Sequence, residues 1–209
     1  MKVFGEVLLM LIHKNNSDTV IIVLHEIYGI NKHIITVCEK LSKYKYDIIA
    51  PNLLNTKIMF NYDQEEIAYN YFMKNIGFDN AMQQIKQILH SVRSHYTKIY
   101  VLGYSIGATL AWLSSQTKLC DLVVGFYGSR IRDNLTVVPE CPTLLFFPTD
   151  EKYFDVDDLL IKLSDVKNLT AQKIYGKHGF ADQFSKNYNN KSALVTCKEI
   201  LVFAKTVSA

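Results

Sequence analysis

The chain has 209 residues, 49% of them hydrophobic and 21% charged, which suits a globular fold with a sizeable core and excludes a disordered or fibrous chain. Its 23 basic residues nearly balance 20 acidic ones, leaving a net charge of +3. No Lys/Arg cluster stands out, so nucleic acid is not an expected partner.

The opening, MKVFGEVLLMLIH, is apolar only from Val7 to Ile12, with Glu6 interrupting it and no small-residue cleavage site after it. It therefore does not read as a signal peptide. No stretch approaches the roughly 18 apolar residues that a membrane span needs, so a cytoplasmic protein without a membrane partner is expected. Cys38, Cys120, Cys141 and Cys197 are scattered, form no C-x-x-C pair, and read as reduced core thiols rather than a metal site.

In chain order, Val3–His13 reads as one or two edge strands and Thr19–Leu24, TVIIVL, as a strand covered on both faces. A loop, His25–Asn31, leads to a helix over Lys32–Tyr44. The next strand, Tyr46–Ala50, is stopped by Pro51. Asn52–Asp63 has no period and is expected to loop over the site, with Phe60, Tyr62, Tyr69 and Tyr71 as an aromatic wall. Helices are expected over Gln64–Lys74 and from Asp79, its own cap, onward. Ile99–Leu102 is a strand and Ala108–Trp112 a helix. Asp121–Tyr127 and Thr143–Phe147 are strands, Asp155–Leu163 a helix, and Thr170–Tyr175 a strand. Asn190–Val207 closes the chain as a helix carrying Leu194, Cys197, Leu201 and Ala204 on one side. Strands alternate with helices without a repeat or a Gly/Pro/Ser linker. The expectation is a single α/β domain, 1–209, with a mostly parallel central sheet, helices on both faces, and the working site at the carboxyl ends of the strands.

Between the Ile99–Leu102 strand and the helix after it stands Gly103-Tyr104-Ser105-Ile106-Gly107. This is the G-x-S-x-G elbow of α/β-hydrolases in its required strand–turn–helix setting. Ser105 sits at the apex of a strained turn, and side chains two residues to either side would strike neighbouring backbone, hence the glycines. A serine hydroxyl needs a base, and the base needs a carboxylate to hold its tautomer. In this fold the order is Ser, then Asp or Glu, then His. Of six histidines only His178 follows Ser105, on a Gly-flanked loop past a strand. For the acid, Asp150 follows the strand LLFF, and it is preferred over Asp155, Asp157, Asp158 and Asp165, which belong to a helix or its end. The oxyanion donors are read as the backbone N–H of Ile106, next to the nucleophile, and of Ile27, in the loop after an early strand.

With LHEIYGIN (Leu24–Asn31), GYSIGATLAW (Gly103–Trp112), VVGFYG (Val123–Gly128), the Asp after TLLFFP, and KHGF (Lys177–Phe180), the chain resembles the dienelactone hydrolase family of α/β-hydrolases over essentially its whole length. The resemblance implies a compact fold without a large lid domain. It implies Ser105 as nucleophile with Asp150 and His178, oxyanion donation from Ile27 and Ile106, and Glu26 as a carboxylate near the nucleophile. Founding members carry Cys where this chain has Ser105, so activation here is expected to be general-base catalysis by His178. Glu26 then either orients substrate or water, or pins its loop. Classical members also grip a substrate carboxylate with arginines where this chain has Asp63-Gln64-Glu65-Glu66 and Asp182. Arg130 and Arg132 are read as surface residues rather than substitutes. The expected function is a serine hydrolase of small esters or lactones, working through an acyl-enzyme with no cofactor or metal. The alternative is a non-catalytic binding protein that keeps the hydrolase frame.

Overall fold

The computed structural model describes residues 10–208. Seven strands form one sheet: β1 (Met10–His13), β2 (Thr19–Leu24), β3 (Asp47–Pro51), β4 (Lys98–Tyr104), β5 (Leu122–Phe126), β6 (Thr143–Asp150) and β7 (Leu169–Lys177). Their order across the sheet is β1-β3-β2-β4-β5-β6-β7, with only β1 antiparallel. Among the described residues six α-helices accompany the sheet: α1 (Lys32–Ser42), α2 (Glu65–Asn75), α3 (Gly77–Arg93), α4 (Ile106–Ser115), α5 (Val156–Leu163) and α6 (Asn190–Ser208). This is the expected α/β-hydrolase architecture, and no large extra domain interrupts it among the described residues. Of the expected edge strand Val3–His13, the part before residue 10 lies outside the described residues.

The period-2 alternation of the strands sorts their side chains between two layers. Ile21 and Val23 of β2 pack with Ile34 and Cys38 of α1 and with Ile200 and Phe203 of α6. Val20, Ile22 and Leu24 pack on the opposite face with Phe72 of α2, Ile85 and Leu89 of α3, and Leu110 of α4. A third cluster joins Trp112 of α4 to Leu145 and Phe147 of β6 and to Leu159 and Leu163 of α5.

Three local expectations are corrected. Helix α3 starts at Gly77, after Ile76, so Asp79 lies inside its first turn, where its charge meets the positive helix end, and it is not the cap. Helix α3 has no side-chain cap, whereas on α5 Asp155 is the cap, its carboxylate accepting from the N–H groups of Asp157 and Asp158. On α6 the packed side carries Ser192, Thr196, Ile200, Phe203 and Ala204, whereas Leu194 and Leu201 are more than half exposed. Cys197 is exposed with them, so it is not a core thiol, unlike buried Cys38, Cys120 and Cys141. The helix carries two apolar stripes, and docking against β6 and β7 selects the one that periodicity alone does not favour.

Candidate active site

Strand β4 ends at Tyr104 and helix α4 begins at Ile106, so the chain must reverse within the single residue Ser105. It does so at φ 53° and ψ −115°, a conformation that costs a non-glycine residue on the order of 1–3 kcal/mol. Surrounding bonds hold it there. The Ser105 N–H donates to the Phe126 carbonyl at 2.9 Å, and its carbonyl accepts from the N–H groups of Ala108 and Thr109 at 3.0 and 3.1 Å. The flanking glycines are steric necessities. A Cβ on Gly103 would stand 2.1 Å from the Gly107 carbonyl oxygen, and one on Gly107 would stand 2.3 Å from that of Leu24. Both obstacles are backbone, which cannot rotate away. Gly107→Ala is therefore expected to destabilise the fold by about 3 kcal/mol or more. That lowers Tm by roughly 6–12 °C for a domain of this size, read by thermal denaturation.

At the carboxyl edge of the sheet the Ser105 Oγ lies 3.0 Å from His178 Nε2. The Nδ1 of the same ring lies 2.8 Å from Glu151 Oε1. A carboxylate on Nδ1 places the ring proton there and leaves Nε2 as the acceptor that faces the hydroxyl. The Glu151 side chain is 2% exposed and that of His178 38%, so the carboxylate is sealed beneath the ring while the ring's outer edge meets solvent. Desolvation alone would lower the His178 pKa. The Glu151 hydrogen bond and the charges of Glu151, Glu26 and Glu65 outweigh it and leave the ring above its ordinary 6.5.

The position expected of Asp150 is thus occupied by its neighbour. Strand β6 continues past the expected Phe147 to Asp150, which pairs in register with Lys177. The register slips between Pro148 and Asp150, with one extra residue on β7 around Gly176, whose backbone both accepts from and donates to Thr149 Oγ1. Asp150 remains in the ladder with its side chain 64% exposed and 3.6 Å from Lys177 Nζ. Glu151, the first residue free of the ladder, turns inward to His178. The signal available in the sequence was the Asp150-Glu151 pair itself, both chemically fit, and nothing local distinguishes them.

The loop after β2 supplies Glu26 and Ile27. It is pinned by His25, which is fully buried, accepts the Leu53 N–H at Nε2 (2.9 Å) and meets the Glu26 carbonyl through Nδ1 (2.5 Å). Among the described residues the Ile27 amide finds no hydrogen-bond acceptor, and the Ile106 amide, at the first position of α4, has no intrahelical one. Glu26 is 4% exposed. Burial, then the Asp182 carboxylate, push its pKa up to about 7, against the opposing pull of His178 and the Tyr127 hydroxyl. Tyr127, fully buried at φ 45°, stacks obliquely on His178 with ring centres 4.9 Å apart, and its hydroxyl faces the Glu26 carboxyl without a well-aligned hydrogen bond. In the sequence Tyr127 reads only as a strand end.

The acidic replacements are not equivalent. Asp182 is 1% exposed and satisfied internally, accepting from the Tyr62 hydroxyl and the Phe184 N–H, with His33 Nδ1 3.4 Å away. Of the Asp63–Glu66 run, Glu65 is the member whose charge is felt at His178, Glu26 and Tyr28. Arg130, expected on the surface, is half-buried and bound to the Tyr69 hydroxyl and Asp133. The expected aromatic wall divides: Phe60 and Tyr71 pack together in the core, while Tyr62 meets Tyr28 edge to face at the site. No group of three His, Cys, Asp or Glu among the described residues is arranged to hold a metal ion, and no helix among them is long and apolar enough to cross a membrane.

The buried histidines give a pH test. Burial lowers His25 and His33 to about 4, against weaker opposing contributions from the Glu26 carbonyl and the Asp182 carboxylate respectively. Their folded values lie below 6.5, so the unfolded chain takes up these protons first, and stability present above pH 6.5 is lost as the pH falls toward 4. Glu26 acts in the opposite sense between about 7 and 4.5, one carboxyl against two imidazoles. Tm is expected to fall between pH 6.5 and 4 in a series of thermal melts, and a flat or rising series contradicts this account.

Comparison with known proteins adds to this geometry. The model of the Dienelactone hydrolase family matches residues 8–208. YczH of Bacillus subtilis (strain 168), described as an uncharacterized protein, is 37% identical over 172 residues, covering 81% of this chain and 84% of that one. Carboxymethylenebutenolidase 1 of Cupriavidus pinatubonensis (strain JMP 134 / LMG 1197) is 21% identical over 193 residues, covering 86% of this chain and 82% of that one. Among solved structures, a dienelactone hydrolase-like promiscuous phosphotriesterase from metagenomic libraries superposes with a TM-score of 0.74 at 12% identity, over 94% of this chain and 91% of that one, a likeness of fold.

Proposed function

The chain belongs to the dienelactone hydrolase family and is a hydrolase acting on ester bonds, and from that premise we propose that it is a cytoplasmic, single-domain serine hydrolase of small, uncharged esters or lactones that works through an acyl-enzyme. The contact chain Ser105 Oγ–His178 Nε2–His178 Nδ1–Glu151 carries the reading. In this mechanism His178 Nε2 removes the Ser105 proton as Oγ attacks the ester carbonyl carbon. The negative charge that develops on the carbonyl oxygen is met by the amides of Ile106 and Ile27. His178 returns the proton to the departing alkoxide, and the acyl group stays on Ser105. Water then attacks the acyl-enzyme with His178 as base, which releases the acid and restores the hydroxyl. Glu151 holds the Nδ1 proton and stabilises the imidazolium in both halves.

An uncharged substrate follows from the surroundings. The carboxylates of Glu26, Glu65, Glu151 and Asp182 all act on the site, and Arg130 is already committed to Tyr69 and Asp133. A substrate carboxylate would meet like charge. Free thiols at all four cysteines suit the reducing cytoplasm. The test is covalent labelling with a fluorophosphonate, followed by peptide mapping. The adduct is expected on Ser105. An unlabelled protein that also hydrolyses no activated ester would overturn the proposal in favour of a binding protein on a hydrolase frame.

A further inference from the structure

Three segments must be in register for the proposed chemistry: the loop carrying Ile27, the elbow, and the loop from Lys177 to Asn189 that carries His178. The elbow is rigid because strand and helix fix both its ends. The histidine loop is a string of turns. Phe180 N–H donates to the Lys177 carbonyl, Asp182 N–H to that of Gly179, Ser185 N–H to that of Asp182, and Asn187 Nδ2 to that of His178. Asp182 stands in the middle of that string, and its Oδ1 accepts the Phe184 N–H at 2.8 Å. Its Oδ2 accepts from the Tyr62 hydroxyl, 120 residues away in the chain. Tyr62 opens the short 3₁₀ turn Tyr62–Gln64 before α2. The same hydroxyl receives Asn31 Nδ2 at 3.2 Å, and the Tyr62 ring packs edge to face on Tyr28, with ring centres 4.9 Å apart. Tyr28 and Asn31 both belong to the loop that begins at His25, and Tyr28 is the residue after Ile27.

We propose that Tyr62 is a positioning residue whose hydroxyl, through the buried carboxylate of Asp182, fixes the loop carrying His178 against the loop carrying Ile27. The inference rests on the hydrolase reading above and gives Asp182 a role other than binding substrate. Among the described residues Tyr62 supplies the hydrogen bond to Oδ2, while His33 Nδ1, at 3.4 Å from Oδ1, lies beyond good N–H···O range. Without the Tyr62 hydroxyl a carboxylate 1% exposed must turn to find another donor, and it takes the Gly179–Phe184 turns with it. His178, one residue before Gly179, moves with that turn.

Tyr62→Phe removes the bond and keeps the ring. Tyr96→Phe is a matched control. Tyr96, itself more buried than Tyr62, likewise donates from its hydroxyl to a buried carboxylate, Asp47 Oδ2 at 2.8 Å, but at the amino end of β3, the opposite edge of the sheet. A displacement of about 1 Å in a catalytic group costs up to about 100-fold in rate. Tyr62→Phe is therefore expected to lower kcat about 10- to 100-fold with KM within about threefold, while Tyr96→Phe keeps kcat within about twofold. Both variants are expected to lower Tm by similar amounts. Wild-type kcat in Tyr62→Phe, an equal loss of kcat in both variants, or a raised KM with kcat unchanged would each overturn the positioning role while leaving the hydrolase reading intact. A wild-type protein that hydrolyses no ester would overturn both.

Discussion

Glu151→Gln is expected to lower kcat/KM by about four orders of magnitude, whereas Asp150→Asn leaves it within about twofold. The two carboxylates are adjacent in the chain, and local chemistry would suit either to the role. Glu151 is buried, 2.8 Å from His178 Nδ1, and Asp150 is exposed beside Lys177. A glutamine at 151 fills the same space and can present its amide to the ring. It then donates to Nδ1, which moves the ring proton to Nε2 and leaves no lone pair facing Ser105. The pH profile separates this from a packing defect. The His178 pKa is held above 6.5 chiefly by Glu151 working against desolvation. General-base catalysis requires the neutral ring, so wild-type kcat/KM is expected to rise with pH through a value above 6.5. In Glu151→Gln the residual activity should rise at lower pH, because the largest proton-retaining contribution is gone. If Asp150→Asn proves the damaging substitution, the assignment of Glu151 is wrong.

Ser105→Ala is expected to remove about five to six orders of magnitude in kcat and abolish fluorophosphonate labelling, with the fold unchanged. The hydroxyl is the only atom removed, and the backbone that strains the residue is set by its neighbours, through the Phe126 carbonyl and the first amides of α4. Tm should therefore stay within about 2 °C of wild type. What activity survives is expected to come from binding and from the proposed oxyanion donors, the Ile27 and Ile106 amides. In the proposed mechanism Ser105, His178 and Glu151 act as one unit, so the Ser105→Ala/Glu151→Gln double variant is expected to be no slower than Ser105→Ala alone. Losses that multiplied would mean that Glu151 works through something other than His178.

Glu26 changes character once its surroundings are seen. Beside a serine it has no thiolate to manage, and it is buried near the Asp182 carboxylate and the Tyr127 hydroxyl, with burial raising its pKa to about 7. A carboxyl that retains its proton over part of the working pH range opposes the developing oxyanion less than a fixed charge would. Asp182, read from sequence as an acidic residue in place of a substrate-gripping arginine, is instead closed off from solvent and holds a turn together.

Short-range geometry controls the features that residue types alone dictate. Strand Ile99–Leu102, Gly103 and Gly107 around Ser105, and the helix after them are neighbours in the chain, so steric rules read from the residue types already require the elbow. The α/β alternation and the ordering of His178 after Ser105 were legible for the same reason. What only the tertiary structure decided depends on where ladders end and which faces dock. Asp150 and Glu151 differ by one step in a strand, and the slipped register beside Gly176 of β7 settles which turns inward. The apolar stripes of α6 are comparable until β6 and β7 of the sheet cover one of them. Tyr62 and Asp182 lie 120 residues apart, and no local pattern announces a hydrogen bond that exists only once the sheet has brought its carboxyl-end loops together.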